Sequence, residues 1–461
     1  MTPDLRGFLE SLRAERPQDV WEIAAPVSHV YEMTAIALEL ERRRQSPVLF
    51  FREVKGFQAP VVSNLFASRP RLGFILGLDE RELVTGWARV AARRLKPVQS
   101  DVAPVKEVVL TGSAVDLRRL PIPVHFEADA GQYITAGVVV AADPETGAAN
   151  LSFARLQLIG PNVFGASLHS RGDLWDYQRR AAEQGRPLEV AIVIGTHPAI
   201  TLAAAARLPR GEDELDLAGG LLGQPVPVVR GETVDLMVPA HAELVLEGAL
   251  LPDQHHDEGP FGEFTGYASG RSTRNVLQVS AVTCRRDMIF QDVVPGASAE
   301  HLNLSKTPRA GSTFDIVKRR FPGVVDLNYP SSGVHYHCYV SMRKSMEGSP
   351  KQLMLLLFGL EMFLKLVIVV DEDIDVQDEP AVLWALATRF QADRDSFVVP
   401  DVACNLLDPS AQDGLSAKLG LDATLPLGTP ARGLGFSADV LNRARLQISA
   451  YMNMMGGSSE A

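Results

Sequence analysis

Between residues 106 and 295 the chain repeats one pattern: short strand-like runs at 107–110, 133–142, 156–158, 188–194, 234–238, 242–246 and 276–284, separated by Gly and Pro clusters. Runs of that length, closely spaced and punctuated by turn formers, build an antiparallel or barrel-like sheet. The flanks read differently. Residues 4–13 and 29–44 have helical periodicity, 47–51 is a short strand, and 80–95 reads as an amphipathic helix. Residues 102–105, interrupted by Pro104, form a linker. Beyond 300, helical stripes at 312–320, 352–364 and 380–389 surround the apolar run 366–370, which ends in Asp371-Glu372-Asp373. The pattern predicts a multi-domain α/β chain: an N-terminal α/β domain over 1–105, a β-rich domain over 106–300, and a C-terminal α/β domain over 301–461.

A 46% hydrophobic and 22% charged composition is that of a soluble globular protein. The net charge of −11 argues against nucleic acid as the main partner, and the densest basic spots (93–96 and 318–320) end helix-like segments. The longest apolar stretch, 353–370, is broken by Glu361 and Lys365, so no membrane span is expected. Residues 1–6 lack a basic start followed by an apolar run. Cys284, Cys338 and Cys404 have no paired spacing, so reduced core thiols and a cytoplasmic location are expected.

Chemistry concentrates in His256-Asp257-Glu258-Gly259-Pro260-Phe261-Gly262-Glu263. Two carboxylates held close together titrate as a pair, which suits proton transfer near neutral pH. The Gly-Pro-Phe-Gly frame between them is a more rigid mount than solvated loop acids need. Three further segments carry polar groups: Asn150-Leu151-Ser152-Phe153-Ala154-Arg155, Ser167-Leu168-His169-Ser170-Arg171-Gly172, and Pro209 to Leu215 with Glu214. Strand alternation puts Asn150, Ser152 and Ala154 on one face and Arg155 on the other. Taken singly, Asn150 is also readable as a turn residue, His169 as a loop histidine and Glu214 as a solvated acid. Spacing alone does not bring them together.

In order and content, these segments, with Asp176-Tyr177-Gln178 and Lys418 to Thr424, resemble the UbiD-like decarboxylases over about residues 5 to 425. The resemblance implies that the central domain is a split β-barrel binding prenylated FMN and that the C-terminal domain supports a homodimer or higher homo-oligomer. It implies a flavin prenyltransferase as cofactor supplier. It also implies Mn²⁺ (or Mg²⁺) and K⁺ bridging the cofactor phosphate to the protein. Asn150, His169 and Glu214 match the metal ligands, a mostly hard donor set. Ser152, Phe153, Leu168 and Lys365 match cofactor contacts, and the carbonyls of residues 203–206 match the K⁺ site. Arg155, Glu258 and Glu263 match the catalytic set. Decarboxylation of an aromatic acid leaves a carbanion without an electron sink, which the modified flavin supplies. Arg155 then holds the reacting carboxylate, and Glu263 protonates the carbon after CO₂ departs.

Two other readings stand beside this one. A glycosidase uses two acids, but usually from separate strand ends and over aromatic platforms, and this chain has only four Trp. A non-catalytic flavin- or metal-binding protein would lack a member of the Arg-Glu-Glu set, and none is lacking. The substrate clue is His301 and Arg309, eight residues apart after the run ending near Val294. The pair resembles the furan-dicarboxylate branch, where such residues read a second, non-reacting carboxylate. The expectation is furan-2,5-dicarboxylate to 2-furoate, with pyrrole-2-carboxylate or a hydroxybenzoate as alternatives. The other reading of Arg309 is a surface residue opening a helix at Ser312.

Overall fold

The computed structural model describes residues 3–168, 172–270, 272–429 and 436–456. Its centre is a closed six-stranded antiparallel barrel. Val138–Ala142, Ala149–Gly160 and Val163–Leu168 follow one another as a meander. Val163–Leu168 pairs with Asn275–Cys284, which pairs with Leu244–His255, which pairs with Leu188–Ile194, which returns to Val138–Ala142. Closure leaves these strands no free edge to template aggregation.

Alternation along the strands separates two cores. Val139, Ala141, Leu156, Phe164, Ile192, Leu246 and Val279, from all six strands, share the barrel cluster. Their neighbours Val138, Val140, Ala191, Val193 and Val245 pack instead with Phe8, Leu12 and Phe66 of the N-terminal layer. Period-two patterning thus makes both faces of these strands apolar, one for the barrel and one for its cover.

The N-terminal layer is a four-stranded sheet ordered Val20–Ile23, Val48–Phe51, Val61–Ser63 and Phe290–Gln291. Its last strand comes from beyond the barrel, so the two layers interlock. The C-terminal sheet is ordered Val324–Asn328, His337–Met342, Leu366–Asp371, Leu415–Ala423, Ser396–Ala403. Helix Ser349–Leu360 covers one face, with Leu353 and Leu357 beside Val367 and Val369. Helix Glu379–Arg389 covers the other, with Val382 and Ala385 beside Ile368 and Val370.

Three segments depart from the sequence expectations. The helix expected over 80–95 is a 3₁₀ turn, Glu80–Glu82, and a short helix, Trp87–Ala91. Trp87 docks so closely that a Cβ on Gly311 would lie 2.2 Å from its ring, and this packing outweighs local periodicity. The run 234–238 is not a barrel strand; only Met237–Pro239 is extended, in a small sheet with Pro227–Arg230 and Val98–Gln99. The loop before it is tied down by Glu247 and Glu189, which accept from the Thr233 and Asp235 N–H groups. The helix expected from Ser312 begins at Ala299 and runs to Arg320, capped by the Ser298 hydroxyl accepting from the His301 N–H at 3.1 Å. Pro308 sits inside it. Its ring removes one helical hydrogen bond, and burial of Leu304, Pro308, Ala310 and Phe314 against neighbouring elements offsets the loss.

Candidate active site

A cavity of about 690 Å³ lies where the barrel, helix Ala299–Arg320 and the loops of the C-terminal domain meet. That size suits a cofactor with a small substrate. Asn150, Ser152, Phe153, Arg155, Leu168, Glu214, Glu263, His301 and Arg309 all line it.

Arg155 stands on the long Ala149–Gly160 strand opposite Ser167. Ala154 belongs to the barrel cluster and Phe153 packs on the other, as alternation requires. Glu258 and Glu263 flank Phe261–Gly262, which pairs with Ala268–Ser269. The mount is rigid: the Gly262 N–H donates to Asp129 at 2.8 Å, and the Ala130 N–H donates to the Pro260 carbonyl at 2.8 Å. A side chain at Gly262 would meet the Phe126 ring at 2.5 Å, and Gly259 has a φ of +109°; both positions need glycine.

Arg155 Nε lies 2.8 Å from Glu258 Oε1, and its Nη2 donates to Oε2 at 3.0 Å. Nη1 bonds Glu263. Both acids are buried, at 2% and 7% exposure, so the arginine charge is what permits two carboxylates here. Burial works against the guanidinium charge, but Glu263 and Glu258 outweigh it and raise the Arg155 pKa. Phe261 stacks beneath the guanidinium with its centroid 5.2 Å away, and Tyr133 packs on Phe261. Burial, then the Glu258 charge, raises the Tyr133 phenol far above its usual value.

Glu214 opens helix Glu214–Leu222, whose cap is Asp213. It accepts from the Leu151 N–H at 2.8 Å and lies 3.4 Å from Asn150 Nδ2. Burial pushes its carboxyl up to about 7, opposed by the Leu151 N–H. Asn150 Oδ1 and Ser152 Oγ are buried without a hydrogen-bond partner. An orphaned amide oxygen beside a destabilised carboxylate fits a hard cation, which would supply the missing charge and partner. His169 lies outside the described residues, and among those described no three His, Cys, Asp or Glu side chains form a metal cluster. Ala204, Ala205 and Ala206 border the cavity near Glu214.

Two expected residues stand back from the cavity wall. Glu258 lies behind Arg155 and acts on the cavity through it. Lys365 reaches away, pairing with Asp408 at 2.9 Å and donating to Ser410.

On the far wall, His301, Ser305 and Arg309 recur at helical spacing and share one face. His301 Nδ1 donates to the Gly296 carbonyl at 2.9 Å, fixing the ring. Arg309 donates to the His335 carbonyl at 3.4 Å, and its guanidinium lies 4.3 Å from the Tyr329 ring centroid. Its Nε is 3.8 Å from Glu361 and buried without a hydrogen bond. Ser305 Oγ and His335 Nε2 are 2.8 Å apart. Burial, then the Arg309 charge, holds His335 well below the usual histidine range, so it is neutral.

Sequence reasoning missed Ser305, His335, Phe264, Phe363, Tyr133 and Arg207. Helical spacing between His301 and Arg309 was a usable signal for Ser305. The others come from distant segments and have no local signature.

Comparison with known proteins agrees with this architecture. Residues 12–90, 96–298 and 302–423 match the N-terminal, Rift-related and C-terminal domains of 3-octaprenyl-4-hydroxybenzoate carboxy-lyase. The UbiD-class enzyme HmfF from Pelotomaculum thermopropionicum, solved with FMN, is 38% identical with a TM-score of 0.89, covering 95% of this chain and 98% of that one. The 3,4-dihydroxybenzoic acid decarboxylase of Klebsiella pneumoniae is 27% identical with a TM-score of 0.86, covering 96% and 99%. Vanillic acid decarboxylase of Sedimentibacter hydroxybenzoicus, in its closed form, is 27% identical with a TM-score of 0.85, covering 97% and 99%. By domain order, sequence and fold, the chain belongs to the UbiD family of carboxy-lyases.

Proposed function

We propose that this carboxy-lyase removes one carboxyl group from furan-2,5-dicarboxylate to give 2-furoate, using prenylated FMN. The observation that carries the substrate reading is the His301–Ser305–Arg309 face, which lines the same cavity as the Arg155–Glu263 pair. One wall then serves the reacting carboxylate and the other a second carboxylate. The 38% identity to HmfF over nearly the whole chain supports the same branch.

Arg155 receives the reacting carboxylate through charge-assisted hydrogen bonds, with Glu258 fixing the plane of the guanidinium. Bound prenylated FMN supplies the electron sink for the carbon–carbon cleavage. As CO₂ leaves, the carbon must gain a proton, and Glu263, on the cavity wall, delivers it. In the carboxylating direction Glu263 removes that proton. Ser152, Phe153 and Leu168 line the barrel side of the cavity and would contact a bound flavin. Asn150, Glu214 and, by resemblance, His169 would hold Mn²⁺ or Mg²⁺ at its phosphate. The carbonyls of residues 203–206 would approach K⁺. Lys365 would reach the cofactor only by leaving Asp408.

Arg309, on the cavity wall opposite Arg155, grips the second carboxylate. We further infer a flavin prenyltransferase as cofactor supplier and a homo-oligomer of this chain. The three free cysteines suit a cytoplasmic setting. Among the described residues, no helix is long and apolar enough to cross a membrane.

The test is a panel of acids with cofactor-loaded enzyme: furan-2,5-dicarboxylate, pyrrole-2-carboxylate, hydroxybenzoates and cinnamate, run beside Arg309→Ala. The dicarboxylate should have the highest kcat/KM, and Arg309→Ala should raise its KM. A wild-type preference for a mono-acid, or an unchanged dicarboxylate KM in the variant, overturns the substrate reading and leaves the carboxy-lyase assignment standing.

A further inference from the structure

Among the described residues, Arg155, Arg207 and Arg309 are the arginines lining the cavity. Their situations differ. Arg155 is bound by Glu258 and Glu263. Arg309 is 8% exposed, near Glu361 and stacked on Tyr329. Arg207, just past helix Pro198–Ala204, is exposed and has no carboxylate partner among the described residues. Its one contact of note is the Phe363 ring, with the guanidinium carbon 5.8 Å from the centroid. Arg309 stacks on that same ring at 5.1 Å.

Phe363 therefore links an outer and an inner guanidinium. It comes from the segment between helix Ser349–Leu360 and strand Leu366–Asp371, and it packs on Phe264 of the central domain at 5.8 Å. Its ring is 8% exposed, so it belongs to the cavity wall and not to the outer surface.

We propose that Arg207 is the docking cation for the incoming carboxylate, holding it at the cavity mouth before it passes Phe363 to Arg309. This rests on the dicarboxylate reading above. An exposed cation–π contact is weak, while a charge-assisted bond to a carboxylate is stronger. Arg207 exchanges its ring for an arriving anion at little cost. Arg309, held by His335 and Tyr329, keeps its position and receives the anion in its final place. A mouth cation matters in this chain because a protein of net charge −11 repels a dianion at long range. A local positive charge offsets that repulsion, and salt screens it over about 8 Å.

The experiment compares wild type, Arg207→Ala and Arg207→Lys as flavin-loaded enzyme at low and high ionic strength. Steady-state kinetics are measured with furan-2,5-dicarboxylate and with a mono-acid. For Arg207→Ala at low salt, KM for the dicarboxylate should rise about fivefold, with a smaller rise for the mono-acid. Its kcat should stay within about twofold, and the KM difference should shrink at high salt. Arg207→Lys keeps the charge and should stay near wild type. Unchanged KM in Arg207→Ala at low salt overturns the proposal, as does loss of bound flavin, which would place the residue on the cofactor. If wild type prefers a mono-acid, the substrate reading fails on its own, and the KM of Arg207→Ala for that acid still decides the role of Arg207.

Discussion

Arg155 meets Glu258 edge-on, Nε 2.8 Å from one carboxylate oxygen and Nη2 3.0 Å from the other. That paired contact fixes the guanidinium plane and leaves Nη1 for Glu263 on the cavity side. The two acids consequently stand differently: one braces the arginine from behind, the other lines the cavity.

Exchanging either acid for its amide should separate their contributions. Glu263→Gln should keep fold and flavin absorbance but lose about 10²- to 10⁴-fold in decarboxylation, and it should stop deuterium uptake into product in heavy water. Glu258→Gln should also lower kcat, because Arg155 loses half of its mount. The double variant should cost far less than the product of the two single losses, since both act through Arg155. Full activity in Glu263→Gln would sink the proton-delivery role.

Metal and flavin retention should depend on Glu214. Its carboxylate is buried with the Leu151 N–H and the Asn150 amide beside it, and the Asn150 oxygen has no hydrogen-bond partner among the described residues, so a cation would complete both. Glu214→Ala or Asn150→Ala should lower divalent-metal occupancy about tenfold or more, with parallel loss of flavin. Elemental analysis and absorbance of purified protein check this. Full occupancy in both variants would remove the metal assignment.

Gly262 gives a packing test of the acid mount. A methyl group there would lie 2.5 Å from the Phe126 ring. Gly262→Ala should cost about 1–3 kcal/mol of stability and lower kcat by displacing Glu263. Adding Phe126→Ala should restore part of the activity, because it clears the clash. Absence of rescue would mean that the glycine serves backbone conformation alone.

Lys306 sets a pH-dependent penalty. Burial, then the Arg69 and Arg309 charges, lowers its pKa from 10.5 to about 8, and it donates to Ser331 at 3.1 Å. Below about pH 8 the lysine is charged in both folded and unfolded chains, and the fold bears the full cost of burying that charge. Between about 8 and 10.5 the folded chain releases the proton first, so stability rises with pH and the penalty vanishes above that window. Lys306→Met should therefore stabilise the protein at neutral pH by up to about 3 kcal/mol. The gain should disappear above pH ~10.5. Thermal unfolding across that range checks it, and a pH-independent gain would assign the effect to packing alone.

The sequence by itself determined the strand-rich centre, its α/β flanks and the rigid frame that carries two acids. Those features are local: alternation along Leu188–Ile194 and the Gly-Pro-Phe-Gly frame between Glu258 and Glu263 depend on near neighbours in the chain. The broken segment 80–95 and the unbroken helix Ala299–Arg320 were not legible. In both, burial against distant elements outweighs propensity, Trp87 on Gly311 in one and the apolar neighbours of Pro308 in the other. The convergence of Asn150 with Glu214, and of Arg309 with His335, Phe363 and Arg207, was decided by tertiary structure. Barrel closure and the packing of the C-terminal sheet against helix Ala299–Arg320 bring residues 26 to 102 positions from Arg309 around one cavity. Local pattern cannot encode that meeting, because it follows from how whole faces are buried.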